Sequence, residues 1–148
     1  DEVRMNLQRR WQRGVAMVEL ALTLPVLLLV VFAIIEYSVM LGAVLVLSNT
    51  ANEAARQTTV YRSGFSVADY EAFARDKAVS LLPAYVGNFK NKIQVNVSSS
   101  GCGDSTCLRL RLSYPSYNTD PLIANYMILP LPDSLTAEAT TRVEPNGG

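Results

Sequence analysis

The sequence predicts an α+β protein. A long N-terminal helix crosses a membrane once and carries a small domain of one amphipathic helix and a three-stranded antiparallel sheet. Three observations predict this. Residues 20–35 form 16 consecutive positions without a charge. After a capping signal at Ser66, apolar residues recur at helical spacing until Pro83. Three later segments alternate apolar and polar residues with period two, the pattern of half-buried strands.

Composition narrows the function before any motif is read. The 148 residues carry 13 Lys+Arg and 13 Asp+Glu, for a formal net charge of zero. The bulk positive charge that holds nucleic acid is absent. There is no histidine, which removes His-based triads, His-ligated metals and imidazole proton shuttles. Two cysteines do not make a structural zinc site. No phosphate loop, paired catalytic carboxylates or nucleophile–base pair is present. The expectation is a protein that is not an enzyme and takes no cofactor or metal. With 49% hydrophobic and 18% charged residues and a mean hydropathy of +0.17, the chain is too apolar for disorder and points to a membrane segment.

At about 1.5 Å per residue, residues 20–35 span about 24 Å. A hydrocarbon core of about 30 Å takes about 20 residues. A spanning helix therefore carries Glu19 or Glu36 near a membrane edge, and residues 37–47 add 11 more uncharged positions beyond Glu36. A buried core helix is the alternative, but about 110 remaining residues do not wrap a helix that is apolar all round. Arg4, Arg9, Arg10 and Arg13 precede the segment and the next basic residue is Arg56. This asymmetry sets the N-terminus in the cytoplasm and the residues from about 45 onward outside. A cleaved secretory signal fits less well. Its apolar region runs to about 15 residues and ends at a small-x-small site, whereas Glu-Tyr-Ser-Val-Met-Leu follows Ile35. Pro25 frees the carbonyl of Ala21 and marks a kink. Glu36, about 25 Å along the helix from Glu19, reads as a solvated carboxylate at the membrane exit.

The head of the helix carries an unusual order: a basic leader, Gly14, then an apolar run with a carboxylate, Glu19, at its fifth position. A carboxylate there is costly unless it is interfacial or paired. The arrangement resembles the class III signal of type IV pilins and pseudopilins. More closely, RGVAMVELALTLPVLLLVVFAIIEYSVML, residues 13–41, resembles the N-terminus of the TadE-like family, the minor pilins or pseudopilins of the tight-adherence (Tad) pilus system. Gly14, Val18-Glu19, Ala21-Leu22, Pro25 and Glu36 carry the resemblance. It implies a pilin-like small domain on the helix and a peptidase that cuts between Gly14 and Val15. It also implies that Glu19 attracts the new Val15 amine of a neighbouring subunit during assembly. At low dielectric an ammonium partner offsets the cost of a lone carboxylate. The alternative for Glu19 is a solvated place in the headgroup layer beside Arg13.

Beyond the membrane the helix is expected to continue to about Tyr61, with Ala51, Ala54 and Ala55 as a small-residue face. That face either packs against other helices in a bundle or filament or rests on the globular part. Gly64 ends the run. Ser66, with Asp69 three residues on, opens the amphipathic helix. Val67, Tyr70, Phe73 or Ala74, Ala78 and Leu81 form its apolar spacing, and the aromatics read as core against a sheet. Residues 92–98 and 108–114 are expected strands, with Gly-Asp-Ser-Thr at a hairpin tip between Cys102 and Cys107. In an oxidising compartment these cysteines pair; without C-x-x-C spacing a redox role is the weaker reading. Residues 115–134 hold four prolines, Tyr117 and Tyr126 and form a long connection with a turn around residues 122–126. It is either a partner surface or a loop packed over the sheet. Leu135, Ala137, Ala139, Thr141 and Val143 alternate again in a final strand.

The expected organisation is a basic cytoplasmic leader (1–14), a transmembrane and extended helix (15–63), and an extracytoplasmic α+β domain (64–148). The resemblance implies a minor pilin that initiates or caps a Tad-type pilus. Its implied place is a bacterial inner membrane, with the C-terminal domain periplasmic and incorporation into the pilus. The implied partners are major and minor pilin subunits, the assembly platform, the prepilin peptidase and the membrane, with no nucleic acid. An uncleaved anchor of the assembly machine and a membrane-tethered binding module are the rival readings.

Overall fold

The computed structural model describes residues 2–60, 62–83, 89–123 and 130–144, with side chains from Val15 onward. The elements are α1 (Glu2–Thr58), α2 (Val67–Leu81), α3 (Phe89–Lys92), β1 (Gln94–Cys102), β2 (Ser105–Tyr114) and β3 (Leu135–Val143). The predicted α+β class is the observed one. The chain divides into two compact units, with the change along α1 between Tyr37 and Ser38.

In the first unit α1 runs unbroken through Pro25. Residues 15–32 are all exposed. Leu, Val, Met and Phe face outward on every side here, so no stripe is turned toward a core. Length and composition suit a membrane span: the apolar helix from Val15 is entirely unburied over its most apolar stretch.

In the second unit α1 changes character. Ala43, Leu47, Ala51 and Ala54 recur every three or four residues and are buried, while Leu41, Leu45 and Arg56 are exposed. The small-residue face is therefore spent within the chain, with Ala51, Ala54 and Ala55 inside the main core. The helix stops at Thr58, three residues before the expected Tyr61. Its last turn is closed by Thr58 Oγ1 donating to the Ala54 carbonyl at 2.7 Å and Thr59 N–H donating to the Ala55 carbonyl at 3.2 Å. Gly64 adopts φ +82° in the following turn, where a side chain is disfavoured.

Helix α2 starts as the capping signal predicts. The Asp69 N–H donates to Ser66 Oγ at 3.3 Å and the Ser66 N–H donates to Asp69 Oδ2 at 2.9 Å, completing the reciprocal box. Tyr70, Ala74 and Ala78 form its buried face. Ala74 rather than Phe73 takes the inward position; the Phe73 ring instead lies 3.8 Å beneath the Arg62 guanidinium. Leu82, just past the helix, is buried, whereas Leu81 stays exposed.

The three strands pair antiparallel in the order β1-β2-β3. Leu110 sits opposite Val97 on one side and Ala139 on the other. The inner face holds Leu108, Leu110, Leu112, Tyr114 and alternate residues of β3, all buried. Both strands of the hairpin are longer than expected. They meet across Gly103 and Asp104, with Cys102 directly opposite Ser105. Gly103 at φ +73° supplies the left-handed residue such a tight two-residue turn requires.

Candidate functional site

The signature residues lie on α1. Val15 is 64% exposed and Gly14 directly precedes it in helical backbone. Glu19 is one turn beyond Val15, about 6 Å along the axis, and is exposed. Thr23 follows, and its hydroxyl donates to the carbonyls of Glu19 at 3.0 Å and Leu20 at 3.3 Å. That bond hides the hydroxyl from apolar surroundings. Pro25, with no N–H, leaves the Ala21 carbonyl without its helical donor. Among the described residues no cation reaches the Glu19 carboxylate.

Glu36 departs from expectation. It is 6% exposed, and neither carboxylate oxygen has a hydrogen-bond partner among the described residues. The reading of a solvated carboxylate at the membrane exit is therefore corrected. Burying a carboxylate without a partner is costly, so Glu36 stands out as the second feature of the helix. Its spacing from Ala43 and Leu47 puts it on the same helical face as those core residues, a signal readable from the sequence.

The remaining features lie apart from the signature. Cys102 and Cys107 form a disulfide with a Cα separation of 5.7 Å, as an oxidising compartment favours. The loop after β2 is tied down rather than offered. Tyr117 is buried, its N–H donates to the Asp133 carbonyl at 2.8 Å, and Asn118 Nδ2 donates to Asp133 Oδ1 at 2.8 Å. Tyr114 Oη donates to the Asp120 carbonyl at 2.7 Å, and Lys92 meets the Asp120 carboxylate at 2.6 Å. That ion pair raises the Lys92 pKa above the ordinary lysine value. The described part of the loop thus packs over the sheet; most of the turn expected at 122–126 falls outside the described residues. An apolar cavity of about 300 Å³ lies in the second unit between Val39, Gly42, Val46, Pro83, Phe89 and Leu122.

Residues 14–56 match the model of the TadE-like protein family. The match begins at the glycine of the signature, includes Glu19, Pro25 and Glu36, and ends in the last turn of α1. It bears out the resemblance read from residues 13–41. No curated protein and no solved structure gives a significant match.

Proposed function

We propose that the protein is a minor pilin, or pseudopilin, that initiates or caps a Tad-type pilus. The TadE-like match beginning at Gly14 carries this reading. The physical chemistry of α1 supports it. A helix apolar on every face needs a bilayer or other helices around it, and Glu19 has no cation of its own among the described residues. Cleavage after Gly14 creates an amine at Val15. In a neighbouring subunit that amine is the partner that offsets the cost of the Glu19 carboxylate. The role is structural rather than catalytic. The basic leader lies in the cytoplasm, the second unit in the periplasm, and the partners are other pilins, the assembly platform and the prepilin peptidase.

The test is mass spectrometry of membrane-extracted protein together with Glu19→Ala. A mass beginning at Val15, with or without a methyl group, supports the pilin; an intact leader supports an uncleaved anchor. Glu19→Ala is expected to stay inserted and processed while pilus formation falls sharply. Glu19→Asp is intermediate, because its charge remains but reaches less far. Equal assembly at matched protein levels overturns the role given to Glu19. A reporter fused at Gly148 is expected to be active only outside the cytoplasm, and cytoplasmic activity overturns the whole reading.

A further inference from the structure

β3 is the edge of its sheet: β2 pairs with one side, and among the described residues no strand or backbone hydrogen bond satisfies the other. Its nine residues contain no proline, glycine or bulge, and its inner face carries no charge. These are the devices by which edges normally prevent strand addition. The two charges it does carry, Glu138 and Arg142, lie on the exposed face on either side of Thr140.

We propose that β3 is a self-pairing edge. Two copies of this chain join antiparallel along it, about a two-fold axis beside Thr140, to make a continuous six-stranded sheet. The register follows from charge. Inner residues must oppose inner residues, so the axis falls beside a residue rather than between two. Centring on Thr140 sets Glu138 opposite Arg142 of the second copy, and by symmetry does so twice. Centring on Ala137 or Ala139 opposes each Glu138 with a threonine; centring on Glu138 opposes it with itself; centring on Thr141 sets it opposite Glu144. Of these five registers only one pairs opposite charges, and opposite charges directly across strands stabilise while like charges destabilise. On the inner face the same register opposes Ala137 with Val143 and Ala139 with Thr141, all small or β-branched. The present partners of the two charges yield readily. Glu138 meets Arg111 at 3.3 Å and Arg142 donates to the Cys102 carbonyl at 3.3 Å, both on the exposed face.

The experiment uses the full chain in membranes, with wild type carrying its native disulfide as control. Residues directly opposite across antiparallel strands have Cα atoms about 4.5–5.5 Å apart, within disulfide reach. Thr140→Cys is therefore expected to give a disulfide-linked homodimer under mild oxidation. Thr136→Cys, on the same exposed face but about 27 Å from its symmetry mate, is expected to give none. Glu138→Arg or Arg142→Glu, added to Thr140→Cys, lowers the dimer fraction by about fivefold or more, and the two together restore it. Co-capture of two differently tagged copies without any added cysteine follows the same charge pattern. No dimer at position 140, equal dimer at position 136, a link to a different protein, or a dimer indifferent to the charge exchange each overturns the proposal. None of these readouts depends on pilus formation.

Discussion

Glu19 and Glu36 lie about 25 Å apart on one helix and meet opposite surroundings. Glu19 is exposed, and Glu36 is buried with both oxygens unbonded. The first is open to its surroundings, and the proposed function gives it a partner from another chain. The second is one whose own surroundings supply none among the described residues.

Replacing Glu36 therefore separates folding from assembly. Glu36→Leu removes two unsatisfied buried acceptors and is expected to stabilise the solubilised chain by about 1–3 kcal/mol. Thermal unfolding followed by circular dichroism in detergent checks it. A lower midpoint indicates that Glu36 is held by a group from outside the described residues.

The cap of α2 is a local test of stability and of pH. Ser66→Ala removes the hydroxyl that receives the Asp69 N–H and is expected to cost about 1 kcal/mol. The Ser66 hydroxyl, at 2.6 Å, and the Ser66 N–H hold the Asp69 carboxyl below its ordinary value. A lowered folded-state pKa adds stability that is fully present above the unfolded value and is lost as pH falls through the folded one. Stability is thus expected to decline on acidification below about pH 3.9. Asp69→Asn flattens that part of the curve, as denaturant titrations at several pH values would read.

Tyr117 anchors the loop after β2. It is 1% exposed, and its ring meets that of Tyr114 edge-on at a centroid distance of 5.3 Å. Tyr117→Ala is expected to cost about 3–5 kcal/mol, the range for emptying a buried aromatic site. Hydrogen exchange is expected to rise at the end of β2 and the start of β3 while the hairpin tip stays protected.

The disulfide closes a small loop, so its contribution is modest. The chain-entropy estimate for Cys102–Cys107 is about 2 kcal/mol. Both thiols are expected to resist alkylation until reduced. Replacing both with serine is expected to lower the unfolding midpoint of the second unit while leaving the apolar helix unaffected.

Much of this fold is legible in the sequence because the burial it uses is periodic. β3 alternates buried and exposed residues without exception from Leu135 to Val143, and Ser66, with Asp69 three residues on, announces α2. The turn end of the β1–β2 hairpin carries a weaker signal. Ser98, Ser99, Ser100 and Gly101 have weak strand propensity, yet β1 continues through them because Leu108 and its neighbours on β2 hold the ladder. Helix α3, four residues long, is too short for any periodic signal. Of the candidate site, the Gly14–Glu19 order is visible in residue types alone. The burial of Glu36 is signalled only by its spacing from Ala43 and Leu47, since the apolar run before it gives no sign of which face of the helix will be covered.

The bonds from Tyr117 and Asn118 to Asp133 bring the two ends of the loop after β2 together beside the sheet. Chain closed at its base in this way is a slot for labels. Doubling the length of a flexible loop adds only about 0.6 kcal/mol of closure entropy. A short epitope or fluorogen-binding tag placed between Leu122 and Leu131, two residues that pack against the core, would leave the sheet's anchoring bonds in place. The protein could then be followed in living cells with its apolar helix and both strand edges untouched.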